Sequence, residues 1–324
     1  MKILTIGGTI FIGRRAVRML KDAGHDVAVL HRGTHEPDDL TDIVHIHGDR
    51  NDLPSVRSEI DAFGPDVVWD NLAMFGKDAQ HVVDTLGTDV RYVVTSSCDV
   101  YKAYGALHAG VATEPTPSDE DAAVRPERYP YKGQIPGFGD EYDKLDVEEI
   151  YLAAGATVLR YPMCYGPNDG QRREWYVLSR VHAGRKKIPV GSGTWLTTKG
   201  YVEDIANGTK LAIENDSVRG EIFNLGERLV YDMGQWSKMI LEAAGSDAEL
   251  VRVADDKLPE DLGLTGLVPQ HFVTDCSKAR RLLGTTDSDH MEALKATVAW
   301  HLANPPQQLN DDWSADDAAL EHAL

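Results

Sequence analysis

Lys2-Ile-Leu-Thr-Ile-Gly7-Gly8-Thr9-Ile10-Phe11-Ile12-Gly13 opens the chain and decides how the rest is read. Its first five residues have the length and branching of a short buried strand. Gly7, Gly8 and Gly13 let the backbone turn sharply and approach a ligand closely. Arg14-Arg15-Ala16-Val17-Arg18-Met19-Leu20 then begins an amphipathic helix whose N-terminal amides attract phosphate. Gly24 stops that helix, and Asp26-Val-Ala-Val-Leu30 predicts a second strand. The result is a β-α-β unit of the dinucleotide-binding kind. Ile10 replaces the usual middle glycine of Gly-x-x-Gly-x-x-Gly, and a glycine pair after a strand can be a plain turn. The strand before and the helix after it favour cofactor binding.

The same alternation continues outward. Ile43-Val-His-Ile46, Asp66 to Ala73, Arg91 to Ser96 and Thr157 to Arg160 read as further strands, with helical patterns between them. Strands alternating with helices predict an α/β fold with a doubly wound parallel sheet, its ligand at the carboxyl ends of the strands. Gly7, Arg32, Asp49, Ala73 and Ser96-Ser97 then share one rim. Residues 1–165 form the expected dinucleotide-binding domain, 200–228 return to it, and 166–324 form a smaller mixed substrate lobe. Lys102 to Asp140, with Pro115, Pro117, Pro126, Pro130 and Pro136, reads as a long loop. A helix is expected over Glu141 to Ala154, and Gln307 to Leu324 reads as a frayed terminal helix.

Composition narrows the function. The 324 residues suffice for real cores, and no apolar run reaches membrane-spanning length. The chain starts directly with a strand rather than a signal segment, so a cytoplasmic location is expected. With 33 basic against 52 acidic residues, the net charge of -19 argues against a nucleic-acid partner. Cys98, Cys164 and Cys276 lack Cys-x-x-Cys spacing, which speaks against disulfides and zinc. His45-x-His47 points to one strand face; such pairs are more often solvated than ligating, and no metal is expected. At the end of the second strand His31-Arg32 stands where a carboxylate would hold ribose hydroxyls. Arg32, with Arg14 beside the glycine loop, could pair with a 2′-phosphate, which favours NADP over NAD. Asp49 could accept from an adenine amine or cap the following helix.

Five stretches together resemble the extended short-chain dehydrogenase/reductases, in particular the NAD-dependent epimerase/dehydratase group: Gly7 to Gly13, Asn71-Leu-Ala-Met74, Thr95-Ser-Ser-Cys-Asp-Val-Tyr101, Leu159 to Pro167 and Gly200-Tyr-Val-Glu-Asp-Ile-Ala206. The glycine variant also resembles the atypical branch that includes chloroplast stem-loop-binding proteins. The resemblance implies a Rossmann fold and hydride transfer at a carbinol carbon of a sugar or nucleotide sugar, by a chain that can pair as a homodimer. It implies cofactor contacts at Gly7, Gly8, Thr9, Phe11, Ile12 and Gly13 in the loop and at Arg32, Asp49 and Arg50 on the adenosine side. Leu72, Ala73, Met74, Ser96, Lys144, Tyr161 and Met163 follow on the nicotinamide side.

By the same resemblance Ser97 orients the substrate oxygen, and a tyrosine four residues before a lysine transfers the proton. Here Lys144 is in place, but Asp140 stands four before it and Tyr142 only two. A two-residue offset on a helix points side chains apart, so Tyr142 serves only if the helix begins later. Tyr131 and Asp140 are the alternatives, and a carboxylate there would favour oxidation. Another reading packs Tyr142 and pairs Asp140 with Lys144. Asp99 lies just beyond Ser97, where dehydratases of the family carry acid and base groups. Arg172, Arg173 and Lys199 are candidates for a substrate diphosphate, whereas Thr197 replaces the family's substrate arginine. The rival reading is a catalytically altered, cofactor-binding scaffold that senses redox state or associates with RNA.

Overall fold

Lys2–Ile6 is buried at every position after its first, as befits a central strand of a parallel sheet covered on both faces. The computed structural model describes residues 1–134 and 139–324. Strands β1 (Lys2–Ile6), β2 (Asp26–His31), β3 (Val44–His47), β4 (Val67–Asp70), β5 (Arg91–Ser97) and β6 (Thr157–Tyr161) come first. Helices α1 (Phe11–Asp22), α2 (Arg57–Phe63), α3 (Gly76–Leu86), α4 (Lys102–His108) and α5 (Lys144–Ala153) lie among them. Then follow β7 (Met163–Tyr165), α6 (Trp175–His182), β8 (Lys187–Val190), β9 (Lys199–Tyr201), α7 (Val202–Glu214) and β10 (Ile222–Asn224). The chain continues through α8 (Met233–Ala243), β11 (Glu249–Arg252), α9 (Ser277–Leu282), α10 (His290–Ala303) and α11 (Ser314–Leu320).

Seven strands form one parallel sheet in the order β10-β6-β5-β4-β1-β2-β3. Winding reverses between β1 and β4, which opens a crevice at their carboxyl ends. Successive residues of each strand feed opposite cores. Ile3, Val27, Val29, Trp69 and Leu159 pack under α1 and α7, whereas Leu4, Ile6, Leu30, Val68 and Val158 pack under α2, α3 and α5. Each fully buried aliphatic side chain stabilises the fold by about 1.5–3 kcal/mol. A third core joins β7, α6, α8 and α10. No helix among the described residues is long and apolar enough to cross a membrane.

Three local expectations are corrected. The long loop begins with α4, because Ala103 and Ala106 bury against the turn after β5; Pro136 lies outside the described residues. α5 begins at Lys144 rather than Glu141, since the Asp143 side chain accepts from the Leu145 amide and caps it on extended backbone. The terminal helix is anchored: Asp316, 2% exposed, pairs with Arg180, and the Leu324 amide donates to Arg252 O.

Candidate active site

The turn from β1 into α1 resists a side chain at its three glycines. Gly7 and Gly8 have φ of +76° and +126°, and a Cβ on Gly13 would stand 2.7 Å from Gly8 Cα. Ile10 precedes α1 without a side-chain cap, and no acidic residue lies in the first turn, so the leading amides remain open to an anion. Ile10, Leu72 and Met74 are 60%, 44% and 36% exposed at the same rim, an apolar lip that a ring system could cover. Phe11 and Ile12 are partly buried behind it, and Thr9 is buried. The residues present therefore fit a dinucleotide.

The other expected cofactor contacts divide. Arg32 is exposed and, among the described residues, has no hydrogen-bond or ion-pair partner. Arg14 is paired with Asp39 at 2.8 Å. Asp49 accepts from the Asn51 amide at 2.9 Å and so caps the turn. Three side chains are turned away from the rim. Arg50 makes a fork to the buried Asp70 at 2.9 and 3.0 Å, where Tyr151 also donates. Ser96 donates to Glu148 at 2.6 Å in the opposite core, because adjacent strand residues alternate faces. The Tyr161 hydroxyl is engaged with Thr209 at 2.6 Å.

Ser97 ends β5, accepts the Asp99 amide at 3.1 Å and retains its own proton for donation. That turn aims Asp99 inward, where Tyr142 donates to its carboxylate at 2.9 Å and Tyr131 at 3.3 Å. Tyr131 in turn lies 2.8 Å from the Tyr104 hydroxyl. The helix cap makes this possible: Tyr142 precedes α5 on non-helical backbone and is no longer on the face opposite Lys144. Burial raises the Asp99 carboxyl above its ordinary value, and burial with the Asp99 charge holds the Tyr142 phenol protonated. Lys144, 5% exposed, donates to Ala73 O at 2.6 Å and Thr95 O at 3.1 Å; burial lowers it to about 8. It makes no Asp140 salt bridge; Asp140 accepts the Gly133 amide instead. The sequence reading missed Arg125, which is buried and ties Asp99 O, at 2.5 Å, to Asp143, at 3.1 Å. Its only signal was an arginine inside a proline-rich acidic loop.

Beyond this group lies a cavity of about 190 Å³ whose walls include Met163, Tyr165, Arg173, Lys199 and Trp236. Lys199 is 4% exposed, its Nζ has no hydrogen-bond partner among the described residues and sits 4.7 Å from the Trp236 ring centre, and burial lowers it to about 8. Arg173 is held by Cys164 O at 2.6 Å, and Arg172 packs over Trp300.

A Rossmann sheet with a glycine-lined turn before α1 and a serine, tyrosine and lysine grouped at the carboxyl end of its strands defines a nicotinamide-dinucleotide protein of the short-chain dehydrogenase class. Residues 3–226 match the NAD dependent epimerase/dehydratase family, and the chain belongs to it. It is 30% identical to the chloroplast stem-loop binding protein of 41 kDa b of Arabidopsis thaliana, covering 100% of this chain and 85% of that protein. It is 29% identical to the 2-alkyl-3-oxoalkanoate reductase of Stenotrophomonas maltophilia (strain K279a), over 66% of each. Its fold is similar to a UDP-glucose-4-epimerase from Stenotrophomonas maltophila with bound NAD and formylated UDP-arabinopyranose. There the TM-score is 0.70, with 18% identity and coverage of 94% of this chain and 98% of that one.

Proposed function

We propose that this chain is an NAD(P)-dependent oxidoreductase of the epimerase/dehydratase type, acting at a carbinol carbon of a sugar or nucleotide sugar. The observation that carries this reading is the Tyr142 hydroxyl, 2.9 Å from Asp99, whose own amide is bonded to Ser97. Ser97 donates to the substrate oxygen, and Tyr142 hands its proton to or takes it from that oxygen. Asp99 lies behind the phenol as the buried partner of that proton. Lys144 holds the ribose and adds positive charge. The nicotinamide, when bound, supplies or accepts the hydride. Gly7, Gly8 and Gly13 admit the diphosphate, and Arg32 inclines the site towards NADP. Lys199 in the cavity, without a hydrogen-bond partner among the described residues, offers its ammonium to an anionic part of the substrate.

The test is to purify the chain, titrate NADPH and NADH separately by reduced-nicotinamide fluorescence, and follow cofactor turnover across a panel of sugars and nucleotide sugars. Submillimolar binding with turnover is expected, and failure to bind either cofactor refutes the reading. A second reading, a cofactor-binding protein without turnover, draws on the engagement of the Tyr142 phenol with Asp99. Binding with no turnover on any substrate of the panel selects it.

A further inference from the structure

Parallel pairing of β2 with β3 sets His31 opposite His47, and His45 precedes His47 by two residues. All three imidazoles therefore share one face at the carboxyl end of the sheet edge. The loop after β2 brings Glu36 to the same place. Four ligand atoms, one from each residue, lie within 4.8 Å of one another. His31 Nε2 is 2.8 Å from His45 Nδ1 and 3.9 Å from Glu36 Oε1, which is 2.6 Å from His47 Nε2.

We propose that His31, His45, His47 and Glu36 form a binding site for a divalent transition-metal ion of the zinc class. Three imidazoles and one carboxylate are the donors such an ion takes, and hard ions such as magnesium prefer all-oxygen sets. Metal-ligand bonds of ~2.0–2.1 Å in a tetrahedron separate ligand atoms by about 3.3 Å. The two short pairs have the spacing of shared protons. Replacing those two hydrogen bonds by bonds to an ion, with each donor ring keeping its proton on its other nitrogen, opens each pair by about 0.5–0.7 Å, and the 3.9 Å pair closes by about the same amount.

The orientation of His45 is already set. Its Nε2 lies 2.8 Å from Leu40 O. A carbonyl only accepts, so Nε2 carries the ring proton and Nδ1 presents its lone pair to the cluster. Metal at His31 Nε2 shifts that ring's proton to Nδ1 and breaks the 3.2 Å bond from the Gly33 amide. An ion has a way in, since the His47 and Glu36 side chains are 57% and 45% exposed. Once bound, it ties the edge strand β3 to the end of β2 and to the loop that begins at Arg32. Hydride chemistry uses none of these four residues.

The test uses the full chain without a histidine tag, stripped with chelator and titrated with zinc chloride by calorimetry, with metal analysis after dialysis. One equivalent at micromolar affinity or better is expected, with a raised thermal midpoint and no response to magnesium. His47→Ala and Glu36→Gln, both on exposed positions, are expected to weaken binding at least tenfold while leaving the metal-free midpoint unchanged. The proposal is overturned if no equivalent binds, if the variants bind as wild type, or if His301→Ala abolishes binding instead. That last result would place the ion in the buried Asp169, Glu174 and His301 group.

Discussion

Tyr142→Phe removes one hydroxyl and keeps the ring, whose packing 5.3 Å from Tyr131 is retained. The lost bond joins a phenol to a buried carboxylate and is worth about 1.5–3 kcal/mol. For a chain of this size, at roughly 2 °C per kcal/mol, the thermal midpoint should fall about 3–6 °C. Turnover should fall about 10²–10⁴-fold, as for loss of a positioned acid-base group, while NADPH affinity stays within a few-fold. The partner substitution Asp99→Asn separates proton handling from packing. Because burial raises the Asp99 carboxyl, its contribution to folding is largest below the ordinary value near 4 and is lost as pH rises through its native value. The amide is neutral at every pH, so Asp99→Asn should gain stability relative to wild type as pH rises above about 4. The assay is differential scanning fluorimetry across pH, run beside substrate-dependent cofactor absorbance. Full turnover by Tyr142→Phe with unchanged cofactor affinity would remove the phenol from the mechanism and pass the role to Tyr131, the other phenol bonded to Asp99.

The remaining outcomes concern charge. Lys144, lowered to about 8, loses its ammonium proton as pH rises, so kcat/KM should decline above about pH 8; Lys144→Met should be weak and flat in the same pH series. Arg32→Ala should weaken NADPH about 10–100-fold, the loss of one charge-assisted bond, and leave NADH unchanged by fluorescence titration. Arg160→Met strands Glu148, 4% exposed and bonded to that arginine at 2.7 and 2.9 Å, and should cost about 3–5 kcal/mol in urea unfolding. Adding Glu148→Gln should recover part of it, because no charge is then left alone.

The sheet was readable because its signals are local. The glycine positions, the apolar strand runs and the breaks at Gly24 and Gly64 each declare themselves within a few residues. The site was readable only where backbone logic was enough. Asp143 is a good cap residue, so a later helix start was open to the eye, and it moves Tyr142 off the helix. Strand alternation separates Ser96 from Ser97, and the expected Ser96 contact overlooked it: Ser96 meets Glu148 in the opposite core. What stayed hidden depends on distant partners. Arg50 meets Asp70 across 20 positions, Tyr161 meets Thr209 across 48 and Arg125 reaches Asp143 across 18. Nothing near any of these residues in the chain reports such a contact.

The strand β10 pairs with β6 through Ile222 and Val158, and α7 covers α1 with Ile205, Ala206, Ala212 and Ile213. A ribosome that has released the first 165 residues has therefore made a sheet with one flank unpaired and one core half roofed. That nascent intermediate carries Val158 and Leu159 on an open edge until some sixty further residues emerge. Chaperone capture of stalled chains should peak in this interval and stop once residue 224 clears the exit tunnel. An expression vector cut at residue 165 would deliver an aggregating fragment rather than a free-standing cofactor module.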